Sequence, residues 1–241
     1  MSRQQYPRSS SHSPGARLIN HWLSPAGGLV YHLRALRHRP LWRAYSDRLA
    51  GWLQAWNPPC RELVLIGPSA GWTLPAAFLA GFGQVHVLEP DPLARRLLGR
   101  RFADAKLVFD RLDCLCDRDG PARLARAYPD AALLFANVLG QQVAGPVIAD
   151  PGRLRRALAG QHWASCHDVL SAARAPHGAL PDTAAGLDAA ALAEHLWGGS
   201  GLEVCDHDTL GLGGAPGPLA LWPLTPRAWH VIEWIVHAPA G

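Results

Sequence analysis

The chain has one lysine, Lys106, against twenty-two arginines, and no aspartate or glutamate before Asp47. Such near-exclusive use of arginine, alongside many alanines, reads as a GC-rich coding bias rather than selection for phosphate contacts. The acid-free start carries seven arginines (Arg3, Arg8, Arg17, Arg34, Arg37, Arg39 and Arg43), while the remainder is slightly acidic. A basic front end is the kind of surface nucleic acid or an anionic membrane attracts. It lacks interleaved aromatics or a nucleic-acid motif, so solvated helix faces and a soluble tail are favoured over a nucleic-acid partner. The five cysteines (Cys60, Cys114, Cys116, Cys166, Cys205) include no C-x-x-C pair. That argues against a disulfide framework or a zinc site, leaves no metal expected, and suits a reducing cytoplasm. No hydrophobic run approaches a membrane span, and "MSRQQYPRSSSHSPGAR" has no apolar signal-peptide core.

What is present is a large core. Of 241 residues, 49% are hydrophobic, enough for one sizeable domain and too many for general disorder. Residues 1–15 have little to bury and are expected to be a disordered tail. Residues 16–58 are expected to form a helical cap of two or three short helices, punctuated by Gly27-Gly28 and Pro40. Leu41, Tyr45, Leu49, Trp52 and Trp56 recur at helical spacing. From residue 59 to 241 strand and helix patterns alternate: "ELVLIG", "QVHVLE", "KLVFD", "AALLFANV" and "HWASCHDVLSA" read as strands separated by helices, two of them opened by Asp-Pro. "LEVCDHDTLGL" and "RAWHVIEWIVHA" read as a final antiparallel pair joined by the long connection "GGAPGPLALWPLTP". The expected fold is α/β: a Rossmann-like, seven-stranded, mostly parallel sheet with helices on both faces.

The first strand runs into Gly67-Pro68-Ser69-Ala70-Gly71. This is G-x-S-x-G, a pattern that holds a nucleophilic serine in one class of enzymes and admits a nucleotide-like cofactor in another. In open sheets, ligands bind at the carboxyl ends of strands near the switch in strand order. The second strand ends in Glu89, 22 residues after Gly67, near the usual offset of the acid that binds a ribose. A serine hydrolase using Ser69 would need an acid (Asp150 or Asp168) and a histidine (His195, His207, His230 or His237). The helical segment before the turn argues against it, since such hydrolases place several strands before their elbow. A nicotinamide dehydrogenase wants glycine where Ser69 stands and a second nucleotide-binding half.

Here the chain resembles the class I S-adenosylmethionine-dependent methyltransferases, well over residues 61–142 and more loosely beyond. "LIGPSAG" is similar to the family's first motif and "LEPDPLARRLL" to its second-strand motif. The resemblance implies S-adenosylmethionine as cofactor, held by Gly67, Ser69, Gly71, Glu89 (ribose), Asp113 (near the adenine) and Asn137 (facing methyl donor and acceptor). Two positions depart from the family: Leu65 replaces an acidic residue and Ser69 a glycine. The expected function is methyl transfer to a small-molecule acceptor; a catalytically inactive methyltransferase-like binding module is the alternative. The catalytic candidates are His167 and Asp168, adjacent at the end of the fifth strand. Neighbours on a strand point to opposite faces, so one of them reaches the ligand, and His167 suits base work near neutrality. Of ten tryptophans, Trp52 and Trp56 in the cap and Trp72 after the loop are candidates for an aromatic lid over the acceptor, with aromatic core as the plainer expectation.

Overall fold

The computed structural model describes residues 28–141, 144–198 and 203–239. The expected tail (1–15) and the start of the expected cap, with Arg3, Arg8 and Arg17, lie outside the described residues. Within the described part of the cap, one helix, α1 (Gly28–Trp56), runs through Pro40, where a break between short helices is expected. An interior proline costs a helix about 3 kcal/mol. Here the buried stripe Ala35, Trp42, Tyr45, Leu49 and Leu53 holds both sides of it against the sheet.

Alternating elements follow: β1 (Glu62–Ile66), α2 (Ala76–Ala80), β2 (Gln84–Leu88), α3 (Pro92–Arg101), β3 (Leu107–Asp110), α4 (Gly120–Ala127) and β4 (Ala132–Ala136). Then come α5 (Gly145–Ile148), α6 (Pro151–Ala157), β5 (Trp163–Ala172), α7 (Ala189–Trp197), β6 (Val204–Asp206), β7 (Leu219–Thr225) and β8 (Ala228–His237). The Asp-Pro signals act as read. Asp91 accepts from the Leu93 N–H at 2.8 Å to open α3, and Asp150 accepts from the Arg153 N–H at 3.0 Å to open α6.

The strand order is β3-β2-β1-β4-β5-β8-β7, with β6 paired to β5. Strands β1 to β5 are parallel, and β8 is antiparallel to both β5 and β7. The end of the chain corrects the sequence expectation. The supposed connection "LALWPLT" is strand β7, whereas the described "EVCDHD" supplies three strand residues and pairs with β5. Pro218 and Pro223 made β7 read as a loop; at the sheet edge, a proline breaks no second ladder.

Side chains alternate between two cores. Leu63, Leu65, Val87 and Leu134 meet α1 and the Trp42, Trp222 and Trp234 rings on one face. Val64, Ile66, Leu133 and Phe135 meet Leu124, Leu154 and Leu158 on the other. The parallel strands therefore end side by side, and the order reverses between β1 and β4.

Candidate functional site

At that reversal the β1–α2 turn takes three left-handed residues: Gly67 (φ 62°), Ser69 (φ 51°) and Gly71 (φ 62°). A β-carbon on Gly67 would stand 2.7 Å from Val138, and one on Gly71 would stand 2.7 Å from Leu98 and Phe102. Ser69 thus keeps the backbone of the glycine it replaces, at the steric cost of a side chain in that conformation. The Ser69 N–H donates to Glu89 Oε2 at 2.8 Å, and the Asp91 N–H donates to Glu89 Oε1 at 2.9 Å. Glu89, just past β2, is buried and aimed at the loop. Behind it, Arg101 donates to the Gly71 carbonyl at 3.2 Å and lies 4.5 Å over the Trp72 ring. Leu65 is fully buried in the core, so the first-motif acid is replaced by packing.

Asp113 lies past β3, exposed, with Oδ1 accepting from the Cys116 N–H at 3.0 Å and the Leu115 N–H at 3.3 Å. Partial burial pushes its carboxyl up, but the Cys116 thiol and those two N–H bonds outweigh it and leave the pKa below the usual value. Its place at the end of β3 is on the carboxyl side of the sheet, but its contacts are those of a turn.

Across the switch, Asn137 follows β4 in a left-handed conformation (φ 56°). Its amide nitrogen is 3.5 Å from Asp168 Oδ2, and its Oδ1 is buried with no partner. Asp168 Oδ1 lies 3.1 Å from His230 Nδ1 on β8. Burial pushes the Asp168 carboxyl up, but His230, His207 and the Asn137 amide outweigh it and hold the pKa below the ordinary value. His207, after β6, has Nε2 3.1 Å from Ser171 Oγ and Nδ1 3.2 Å from the Gly140 carbonyl. The neighbouring candidate, His167, is fully buried: its Nε2 lies 3.1 Å from Glu233 Oε2, and its Nδ1 lies 3.0 Å from Ser165 Oγ. Adjacent strand residues part as expected, and Asp168 is the one that meets Asn137. Glu233 holds His167 and accepts the Gly211 and Gly217 N–H groups at 2.9 and 2.7 Å.

Of the three lid candidates, Trp52 and Trp56 meet the plainer expectation of aromatic core, whereas Trp72 stands at the loop beside Arg101. Trp52 stacks on Trp234 and Trp56 on Phe78, both packed against the core. The opposite end of α1 approaches the site instead. The Trp72 indole donates to His32 Nδ1 at 3.1 Å, His32 Nε2 is buried without a hydrogen-bond partner, and Asp91 is 3.9 Å from it. Tyr31 feels both Asp168 and Glu89. Burial, and then those carboxylates, push its hydroxyl pKa well above the usual value.

The hydrolase constellation does not form. His195 and His237 bond to the carbonyls of Ala179 and Ala159, Asp150 caps a helix, and His207 and His230 gather at Asp168. The last two, with Tyr31 and His32, are the site residues that sequence reasoning misplaced or passed over. No local spacing marks them, because α1, β6 and β8 bring them together from distant segments.

No protein-family model matches the sequence, and a search of curated proteins returns no match. Solved structures do match. The magnesium protoporphyrin IX methyltransferase of Synechocystis with bound S-adenosylhomocysteine aligns over 93% of this chain and 100% of its own, at 12% identity and a TM-score of 0.50. A Burkholderia thailandensis 1,6-didemethyltoxoflavin-N1-methyltransferase aligns over 97% and 93% at 16% identity and a TM-score of 0.48. The N-methyltransferase NodS of Bradyrhizobium japonicum aligns over 82% and 88% at 13% identity and a TM-score of 0.43. With five parallel strands, a reversal between β1 and β4 and an antiparallel β8 beside β5, the chain has the fold of the class I S-adenosylmethionine-dependent methyltransferases.

Proposed function

We propose that the protein is an S-adenosylmethionine-dependent methyltransferase acting on a small-molecule acceptor. The observation that carries this reading is the pairing of a left-handed loop with Glu89 at the topological switch. The Synechocystis enzyme of the same fold, which binds S-adenosylhomocysteine, supports the choice of cofactor. The residues fit such a group. Asn137 Oδ1 and His32 Nε2 are buried, unsatisfied polar atoms at the same end of the sheet, and orphaned groups of this kind are costly without a partner.

When bound, S-adenosylmethionine supplies an electrophilic methyl group on a sulfonium. Glu89, its carboxylate oriented by the Ser69 and Asp91 N–H groups, would take the ribose hydroxyls. Gly67, Ser69 and Gly71 form the loop the cofactor would lie against, and Asp113 would stand near the adenine. Asn137 would present its amide oxygen to the donor side. Methyl displacement depends largely on proximity and orientation, so these residues mainly hold, align and exclude water. The acceptor side belongs to Asp168 with His207 and His230, and His167 is a structural histidine. Calorimetric titration with S-adenosylhomocysteine tests the reading, with Glu89→Ala expected to abolish binding. Wild-type binding that survives Glu89→Ala unchanged would overturn the ribose assignment.

A second reading, a binding module that keeps the fold without the reaction, is favoured by Leu65, whose burial removes the first-motif acid. Absence of any heat at millimolar S-adenosylhomocysteine decides for it.

A further inference from the structure

We propose that Asp168, His207 and His230 bind a divalent first-row transition metal ion of the zinc or ferrous-iron class. One ligand atom from each lies within 4.8 Å of the other two. Asp168 Oδ1 and His230 Nδ1 are 3.1 Å apart. With metal–ligand bonds of about 2.1 Å, the edge of a tetrahedral or octahedral shell is about 3.0–3.4 Å, so this pair already stands at coordination spacing. Two imidazoles and one carboxylate select a transition metal; calcium and magnesium prefer all-oxygen shells.

The groups around the cluster orient it as outer ligands orient a metal site. A proton on His207 Nδ1 serves the Gly140 carbonyl at 3.2 Å, which leaves a lone pair on Nε2, 3.1 Å from Ser171 Oγ. The Asn137 amide holds the second oxygen of Asp168, and the Thr209 hydroxyl donates to the Asp168 carbonyl. The His207 N–H bonds the carbonyl of Val169, the extra residue of a β-bulge where β5 slips register against β8. The bulge, the short β6 and β8 therefore fix three ligands that lie up to 62 residues apart.

The Asp168 and His230 side chains keep 10% and 18% of their surface, so the cluster is shielded but reachable. Three protein ligands leave coordination positions for a small molecule. Because Asn137 borders the cluster, the acceptor class that fits carries an ionisable oxygen or nitrogen able to ligate the ion. This last step rests on the methyltransferase reading; binding of the ion does not.

The test uses tag-free full-length protein, stripped with a chelator and titrated with Co2+ by visible absorption, then with Zn2+ in competition. One ion per chain is expected. His207→Ala and His230→Ala should each weaken binding by about 100-fold or more, the upper range for losing even an outer-sphere partner. His207 is only partly buried, and a retained circular dichroism spectrum and Tm would show that its variant is folded. No stoichiometric binding at metal concentrations on the order of 1 mM, or binding unchanged in both variants, overturns the proposal. A parallel S-adenosylhomocysteine titration separates the two claims. Metal binding without cofactor binding removes only the methyltransferase reading, and the reverse removes only the metal site.

Discussion

The two halves of the site are built in opposite ways. The β1–β2 half, from Glu62 to Asp91, is one contiguous strand–helix–strand unit in which loop backbone N–H groups meet a single carboxylate. The β5–β8 half draws Asn137, Asp168, His207 and His230 from four separate segments and works through side chains. The first is a rigid cradle whose shape is local; the second exists only once the sheet has closed. Mutations in the first should act mainly through backbone geometry. Those in the second should act through buried polar groups left without partners.

The largest effect is expected at Glu233. Glu233→Ala takes the acceptor from the Gly211 and Gly217 N–H groups and leaves His167 Nε2 with only the Thr209 carbonyl at 3.2 Å, and breaking a buried pair costs about 3–5 kcal/mol. Urea unfolding should show it. A loss under about 1 kcal/mol would mean that the β5–β8 half does not depend on its polar interior. Next is Gly71→Ala, which forces a β-carbon into Leu98 and Phe102 at a positive φ. It should cost about 2–3 kcal/mol and weaken cofactor binding, with no change in Co2+ affinity. Coupled losses in both would erase the distinction between the halves. Ser69→Gly works in the opposite sense. It relieves the left-handed strain at φ 51° and should stabilise the chain by about 0.5–1 kcal/mol, with equal or tighter S-adenosylhomocysteine binding.

The smallest effect is a pH slope at His32, where the helix meets the cradle. Burial lowers its pKa, and Asp91 only partly offsets this. The unfolded chain therefore binds this proton first. The contribution is complete above the unfolded value near pH 6.5 and declines as pH falls toward the lower folded value. His32→Gln should flatten the stability profile over that window; an unchanged slope would assign it to other histidines.

The same division explains what the sequence could tell. The parallel strands, the Asp-Pro helix starts, the glycine loop and Glu89 are short-range patterns, and all were legible. Strand β7 was not, because Pro223 reads as a break until its place at the edge is known. The single helix across Pro40 was hidden for a related reason: packing against Trp222 and Trp234 outweighs propensity. At the site, residue type alone favours His167 over Asp168 as the base, whereas the facing strand β8 sets Glu233 against His167 and His230 against Asp168. His207 and His230 carried no signal that twelve scattered histidines do not also carry.

The placement of β7 also bears on how copies of the chain meet. An edge strand is a template for further strands, and a long, regular one invites aggregation. This one has proline at Pro223. Two of its carbonyls, those of Leu219 and Leu224, already accept from Arg48 at 3.1 Å and Trp42 at 3.2 Å of α1. The helix that reaches the carboxyl end of the parallel strands with Tyr31 and His32 thus also occupies part of the hydrogen-bonding capacity of this edge.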